Sequence, residues 1–144
     1  MIIAFRKRAP GLFSWAIRLW TRSEFSHTEA LFGTTMISAV EGMGVRACVV
    51  GTLLPAQWEL VQVDCSPEQE RKAYEWAVDE LGCKYDWMGI FFCQVFKFGR
   101  QHKAKWFCSE FCTAVMQQTG QLLNARPHRQ CPGRLYYLLT GARK

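Results

Sequence analysis

Two residues of this sequence combine the side-chain types and settings that nucleophilic catalysis requires. Cys108 lies at the predicted start of a helix, in the run Lys105-Trp-Phe-Cys-Ser-Glu110. A thiol there faces unpaired backbone N–H groups and the positive end of the helix dipole, and both favour the nucleophilic thiolate. Lys103 and Lys105 act in the same sense. Cys112, one turn further along, lacks that field, and we expect it to pack in the core.

A nucleophilic cysteine needs a base, and the chain has 3 histidines. His102 lies in a basic loop and His128 follows a proline, whereas His27 lies in an alternating segment where a strand can aim it. A cysteine on a helix that faces a histidine on a sheet is the arrangement of thiol hydrolases. We therefore predict that Cys108 and His27 lie within hydrogen-bond reach, about 3–4 Å apart.

A third polar group should orient the imidazole. Glu29 is two residues from His27 and therefore lies on the same strand face. Ser38 and Glu41, near the neighbouring strand, are the alternatives, and Ser38 is too short and uncharged to hold an imidazolium well. We predict that Glu29, as a half-exposed carboxylate, contacts the outer ring nitrogen. The competing interpretation is that Glu29 faces solvent.

Other side chains are candidates for the lining of a cleft around Cys108. Tyr85, Asp86 and Trp87 form a loop ahead of the cysteine, and Ser109 follows it. In a structural interpretation, Asp86 caps the next helix and Trp87 packs in the core. In the alternative interpretation, these residues line the cleft. The backbone N–H of Cys108 is the predicted donor to a developing oxyanion.

The elements that must position these residues follow from hydrophobic periodicity. Apolar residues alternate from Phe25 to Phe32, which is typical of a strand, and the run Ser66-Pro-Glu-Gln69 carries the signals of a capped helix start. Leu12, Trp15, Ala16 and Leu19 recur at helical spacing and predict an amphipathic helix. We predict strands at 2–5, 25–32, 36–40, 45–50 and 58–63 and helices at 12–20, 67–81, 107–118 and 133–139. This order indicates an α+β fold with an antiparallel sheet packed against helices.

Composition limits the remaining possibilities. The chain has 144 residues, of which 49% are hydrophobic, and a net charge of +6, so we expect one globular domain over 1–144 rather than disorder. No apolar stretch is long enough to cross a membrane, and no secretory signal is evident, so we expect synthesis and initial residence in the cytoplasm. The 7 cysteines include no CxxC pair, and we expect reduced thiols, no metal and no cofactor.

Two segments resemble the NlpC-type branch of the papain-like superfamily. Phe25-Ser-His-Thr-Glu-Ala-Leu-Phe32 is similar to the strand that carries the catalytic histidine, and Trp106-Phe-Cys-Ser-Glu-Phe111 is similar to the nucleophile segment. Here the histidine precedes the cysteine, which marks the circularly permuted branch that includes lecithin:retinol-acyltransferase-like proteins. Gly42-Met-Gly-Val-Arg46 and Gly82-Cys-Lys-Tyr-Asp-Trp-Met-Gly89 are further similarities. The resemblance covers residues 23–120.

The resemblance implies a compact papain-like core, with the cysteine helix packed against a meander or barrel-like sheet. It also implies catalytic roles for Cys108 and His27. In many relatives the third polar residue lies on the strand after the histidine, and the matching position here is Ser38. This departure leaves Glu29 or Glu41 to take the role, or else weakens catalysis.

Three functions follow as expectations. The first is a cysteine peptidase or amidase that acts through an acyl-enzyme on a peptide or amide, including the peptides of peptidoglycan. The second is acyl transfer or thioester cleavage on a lipid substrate. The third is an inactive basic binding module of a bacteriophage particle, since short relatives with this layout occur in phages and prophages. Basic clusters at 6–8, 99–105 and 126–129 suit anionic partners, although no recognised nucleic-acid motif accompanies them.

Overall fold

The computed structural model describes residues 1–8, 11–86 and 105–141, except for the side chains of Leu12, Phe13 and Trp20. The predicted apolar segment from Trp87 to Phe98, the basic loop after it with His102, and Trp87 itself lie outside the described residues. The strands are β1 Ile2–Lys7, β2 Phe25–Phe32, β3 Thr35–Val40, β4 Gly44–Val49, β5 Trp58–Gln62, β6 Lys84–Tyr85 and β7 Lys105–Trp106. The helices are α1 Leu12–Thr21, α2 Pro67–Asp79, α3 Cys108–Gln118 and α4 Pro132–Thr140, with a 3-10 turn at Pro127–Arg129.

The main sheet has five antiparallel strands in the order β4-β3-β2-β1-β5, and β6 and β7 form a separate parallel pair. Helices pack against this sheet, so the predicted α+β class with an antiparallel sheet is confirmed. The first four strands in the sheet order are joined as a meander, whereas β5 returns to the far side of β1. No helix within 1–8, 11–86 and 105–141 is long and apolar enough to cross a bilayer.

The sheet opens at one end of β2, and this opening positions the candidate site. Arg6 is opposite His27 and Lys7 is opposite Phe25, so β2 carries one extra residue there, which is a bulge. β2 pairs with β3 only from Ala30 to Phe32, although β3 pairs with β4 along its whole length. The first half of β2 is therefore left without a β-ladder partner on the β3 side.

Helix α2 starts as its sequence predicts, with the Ser66 and Gln69 side chains forming a reciprocal capping box. Helix α2 buries Ala73 and Ala77, whereas three larger apolar residues in and just after the helix are exposed. The small alanines let α2 lie close to α3. The exposed positions are Tyr74, Val78 and Leu81, and the helix ends at Asp79 rather than at Gly82.

Helix α3 is the centre of the core. Every residue from Cys108 to Met116 is buried, because the helix lies between β2 and β3 on one side and α2 on the other. Trp76 of α2 stacks on Phe111 with ring centroids 5.7 Å apart, and Trp106 packs edge-on against both rings. This burial on several sides holds the first turn of α3 in a fixed position against the open end of the sheet.

Candidate active site

The thiol of Cys108 lies at the first residue of α3, with Phe107 as an extended N-cap residue. Cys108 is 3% exposed. The His27 imidazole and the backbone N–H groups of Thr28 and Ser109 face its sulfur and stabilise the thiolate. Thr28 belongs to the part of β2 that has no β3 ladder, so its N–H is available to the sulfur. The opening in the sheet thus holds the thiol.

The pKa of Cys108 is lowered despite burial. Burial raises the pKa of a thiol, but the hydrogen bond and positive charge of His27, with the two backbone N–H groups, outweigh it. Burial instead raises the pKa values of Cys83 and Cys112. The sequence argument attributed the activation to the helix start and nearby lysines, and the structure adds the larger contribution of His27.

The His27 ring contacts Glu29 as well as Cys108. Its Nε2 atom lies 3.2 Å from Oε1 of Glu29, which leaves Nδ1 as the ring nitrogen for the thiol. Burial lowers the pKa of an imidazole, but the hydrogen bonds and charges of Cys108 and Glu29 outweigh it and raise the pKa of His27 to about 9. At neutral pH these shifts favour a thiolate–imidazolium pair.

Glu29 differs from its prediction in one respect, because it is 5% exposed rather than half-exposed. Burial raises the pKa of a carboxyl, but His27, Arg46 and Arg6 outweigh it and lower the pKa of Glu29. Arg46 Nη2 lies 3.5 Å from Glu29 Oε1. The carboxylate is therefore ionised, and it lies between the His27 ring and the arginines. The interpretation in which it faces solvent is wrong.

The two alternative third residues lie elsewhere. Ser38 is buried and donates from Oγ to the Thr28 carbonyl oxygen at 2.6 Å. Ser38 is paired with Arg46 on β4, and its small side chain leaves room for Arg46 to reach Glu29. Glu41 lies in the exposed turn between β3 and β4, and no hydrogen bond among the described residues joins it to His27.

Of the predicted lining residues, Tyr85, Asp86 and Ser109 are described, and all three are buried. Tyr85 is buried, and burial together with the charges of Cys108 and Glu41 raises the pKa of its phenol. Asp86 is buried and donates its backbone N–H to the Trp106 carbonyl at 2.9 Å, which is a structural bond. Ser109 is buried and donates its hydroxyl to the Gln130 carbonyl at 2.6 Å.

Sequence reasoning did not identify Arg46 or Glu110 as part of this region. Arg46 ends the quoted Gly42–Arg46 segment, and pairing of its strand with that of Ser38 is the signal that could have revealed it. Glu110 is buried in the first turn of α3, where burial and Asp86 raise the pKa of its carboxyl to about 8, against the lowering effect of the Phe107 N–H. No cluster of three metal-binding side chains is present in the described part of the chain.

Comparison with protein-family models found no match for this chain, and comparison with curated proteins found none either. The class of the site is therefore inferred from its own geometry and from the motifs quoted above.

Proposed function

We propose that this protein is a cysteine hydrolase that cleaves a peptide or amide bond through an acyl-enzyme. The observation that carries the proposal is the series Cys108–His27–Glu29, in which one ring contacts a thiol of lowered pKa and a buried carboxylate. This is the nucleophile, base and orienting group that acyl transfer to a thiol requires.

The reaction follows from these positions. The Cys108 thiolate attacks the carbonyl carbon. The oxyanion that forms accepts a hydrogen bond from the backbone N–H of Cys108, which has no intrahelical partner at the first helical position. The His27 imidazolium gives its proton to the leaving amine as the C–N bond breaks. Neutral His27 then takes a proton from water, and the hydroxide attacks the thioester. The acid product is released, and the thiolate–imidazolium pair is regenerated. Glu29 holds the ring and stabilises its cation.

We also propose that the chain has the papain-like core of the circularly permuted NlpC-type branch. Support comes from the order of His27 before Cys108 and from the two motifs that contain them. A buried cysteine helix that packs against an antiparallel sheet with the histidine on β2 is consistent with that core.

The proposal is tested with peptidoglycan fragments and simple peptide amides as substrates. Mass spectrometry of the products should show new amino termini, and acid quenching should trap an acyl adduct on Cys108 in the intact protein. Cys108→Ala should lose both signals, whereas Cys112→Ala, a buried cysteine of the same helix, should keep them. Transfer of the acyl group to an added alcohol instead of water would indicate the alternative function, acyl transfer. Turnover that survives in Cys108→Ala would contradict the proposed mechanism.

A further inference from the structure

Helix α1 exposes three apolar residues. Trp15 is 55% exposed and Leu19 is 62% exposed, and Ala16 between them is also exposed. These are three of the four residues whose helical spacing marks α1 as amphipathic. An amphipathic helix normally turns such a stripe toward the core. Trp15, Ala16 and Leu19 are exposed instead, so this stripe of three residues is available to something outside the described structure.

Three of the four inward side chains of α1 that the structure describes are polar. Ser14 is buried, and Ile17, Arg18 and Thr21 are partly buried. Thr21 donates its hydroxyl to the Ile17 carbonyl at 2.7 Å. Ser14 Oγ and Arg18 Nε are buried without a hydrogen-bond partner among the described residues. Packing of the sheet therefore does not account for the apolar stripe.

Charge around the stripe indicates the kind of surface it fits. Helix α1 contains no acidic residue, Arg18 lies in its last turn, and the exposed Arg8 and Arg22 flank it. Glu24 is the nearby exposed acid, while Lys7 on β1 is paired with Glu59. Projecting tryptophan and leucine side chains surrounded by arginines are typical of helices that lie in the surface of an anionic bilayer.

We propose that α1 docks this protein on the surface of a membrane that contains anionic lipids. Trp15 and Leu19 enter the boundary between headgroups and acyl chains, and Arg8 and Arg22 contact lipid phosphates. A bilayer accepts side chains that project from a helix without a complementary pocket, and the positive charge selects anionic lipids. This binding is independent of catalysis by Cys108.

Co-sedimentation with vesicles tests the proposal on the full chain. Vesicles of phosphatidylcholine with phosphatidylglycerol in equal parts should bind the protein at least roughly tenfold more tightly than phosphatidylcholine alone. Leu19→Ser and Trp15→Ser should each weaken binding several-fold, whereas Leu123→Ser, at a residue that is 66% exposed away from α1, should not. Arg22→Gln should weaken binding, and Lys72→Gln at an exposed position of α2 should not. Cys108→Ala should bind as the wild type does.

Several results would overturn the proposal. They are failure to bind anionic vesicles, equal binding to both vesicle types, or equal weakening by Leu19→Ser and Leu123→Ser. Analytical ultracentrifugation adds another test: a wild-type dimer that Leu19→Ser converts to a monomer would show that the stripe binds a second copy of the chain instead. Circular dichroism of each variant ensures that a loss of binding is compared only between folded proteins.

Discussion

Two ionisable groups in the first turn of α3 have pKa values that are shifted in opposite directions. Cys108 and Glu110 both lie in the first turn of α3, near the same unpaired N–H groups, and both are buried. The pKa of Cys108 is lowered, whereas the pKa of Glu110 is raised to about 8. On the Cys108 side, β2 supplies the His27 cation and the Thr28 N–H. On the Glu110 side, Asp86 supplies another negative charge.

The comparison shows that the helix start does not decide the ionisation of a group by itself. Burial raises the pKa of both groups. On the Cys108 side a cationic partner outweighs burial, whereas on the Glu110 side Asp86 adds to its effect. Cys112 shows the same point one turn further along, since burial raises the pKa of its thiol well above the usual value. Only the group that faces the opening in the sheet is equipped for nucleophilic chemistry.

The largest expected effect comes from removal of the nucleophile. Cys108→Ala should lower turnover at least about 10³-fold, because the thiol that His27 activates is lost. Cys112→Ala is the matched control, and it should keep its activity while losing about 1 kcal/mol of stability from the small cavity. Comparable losses of turnover in both variants would remove the distinction between the two cysteines.

Removal of the cation that faces Cys108 should have the next largest effect. His27→Ala should slow turnover roughly 10²–10³-fold, because both the thiolate and the proton donor are lost. In the wild type, turnover should fall above about pH 9, where His27 loses the proton it gives to the leaving amine. Activity should also fall in acid, as the Cys108 thiolate and the Glu29 carboxylate take up protons. A pH–rate profile without the alkaline fall would contradict this assignment of His27.

Glu29→Gln should lower turnover by roughly tenfold to a hundredfold, since a neutral amide holds the imidazolium less well. Glu41→Gln, at the exposed turn, should have turnover close to that of the wild type. Because Glu29 is buried, the thermal midpoint of each variant should be measured alongside activity. If the two substitutions affect turnover equally in folded protein, Glu29 is not the orienting residue.

A smaller effect is expected from Arg46, which is partly exposed and contacts Glu29. Arg46→Gln should lower turnover about threefold and move the acid limb of the pH–rate profile upward, because the pKa of Glu29 rises when a positive neighbour is lost. Arg46→Lys should restore part of the effect, and Arg71→Gln on exposed α2 serves as the control. An unchanged acid limb in Arg46→Gln would show that Arg46 does not act on Glu29.

The smallest effect on activity is expected from Glu110→Gln in the first turn of α3, which should change stability instead. The pKa of Glu110 is raised from 4.5 to about 8, so its contribution to stability is present below pH 4.5 and is lost as pH rises through about 8. Glu110→Gln avoids the buried charge and should raise the thermal midpoint at pH 9 by roughly 3–6 °C. The variants should have equal midpoints near pH 4, and a lower midpoint for Glu110→Gln at pH 9 would contradict the raised pKa.

The sequence predicts most of the elements because their signals are local. The capping box of α2, the alternation of β2 and the helical periods of α1 and α3 depend on neighbouring residues alone. The contact of Glu29 with His27 was also predictable from strand alternation. The burial of Glu29 was not, because it depends on strands and helices that are distant in the chain.

Features that depend on tertiary packing could not be predicted from the sequence. Spacing predicts that α1 has an apolar stripe, but it does not indicate which way the stripe faces, and the structure turns Trp15 and Leu19 outward. Likewise, the bulge in β2 and the short ladder with β3 create the opening that receives Cys108. Arg46 reaches Glu29 across the small Ser38, which only the register of three strands reveals.

The rate of iodoacetamide alkylation at Cys108, followed against pH by peptide mapping, tests the central claim most directly. In the wild type, Cys108 should react selectively at about pH 6.5, well below the pKa of a free thiol, and its midpoint should rise in His27→Ala. Glu110→Gln should leave the midpoint unchanged. If Cys108 instead alkylates with a midpoint of about 8.5–9 in both the wild type and His27→Ala, His27 does not hold it as a thiolate.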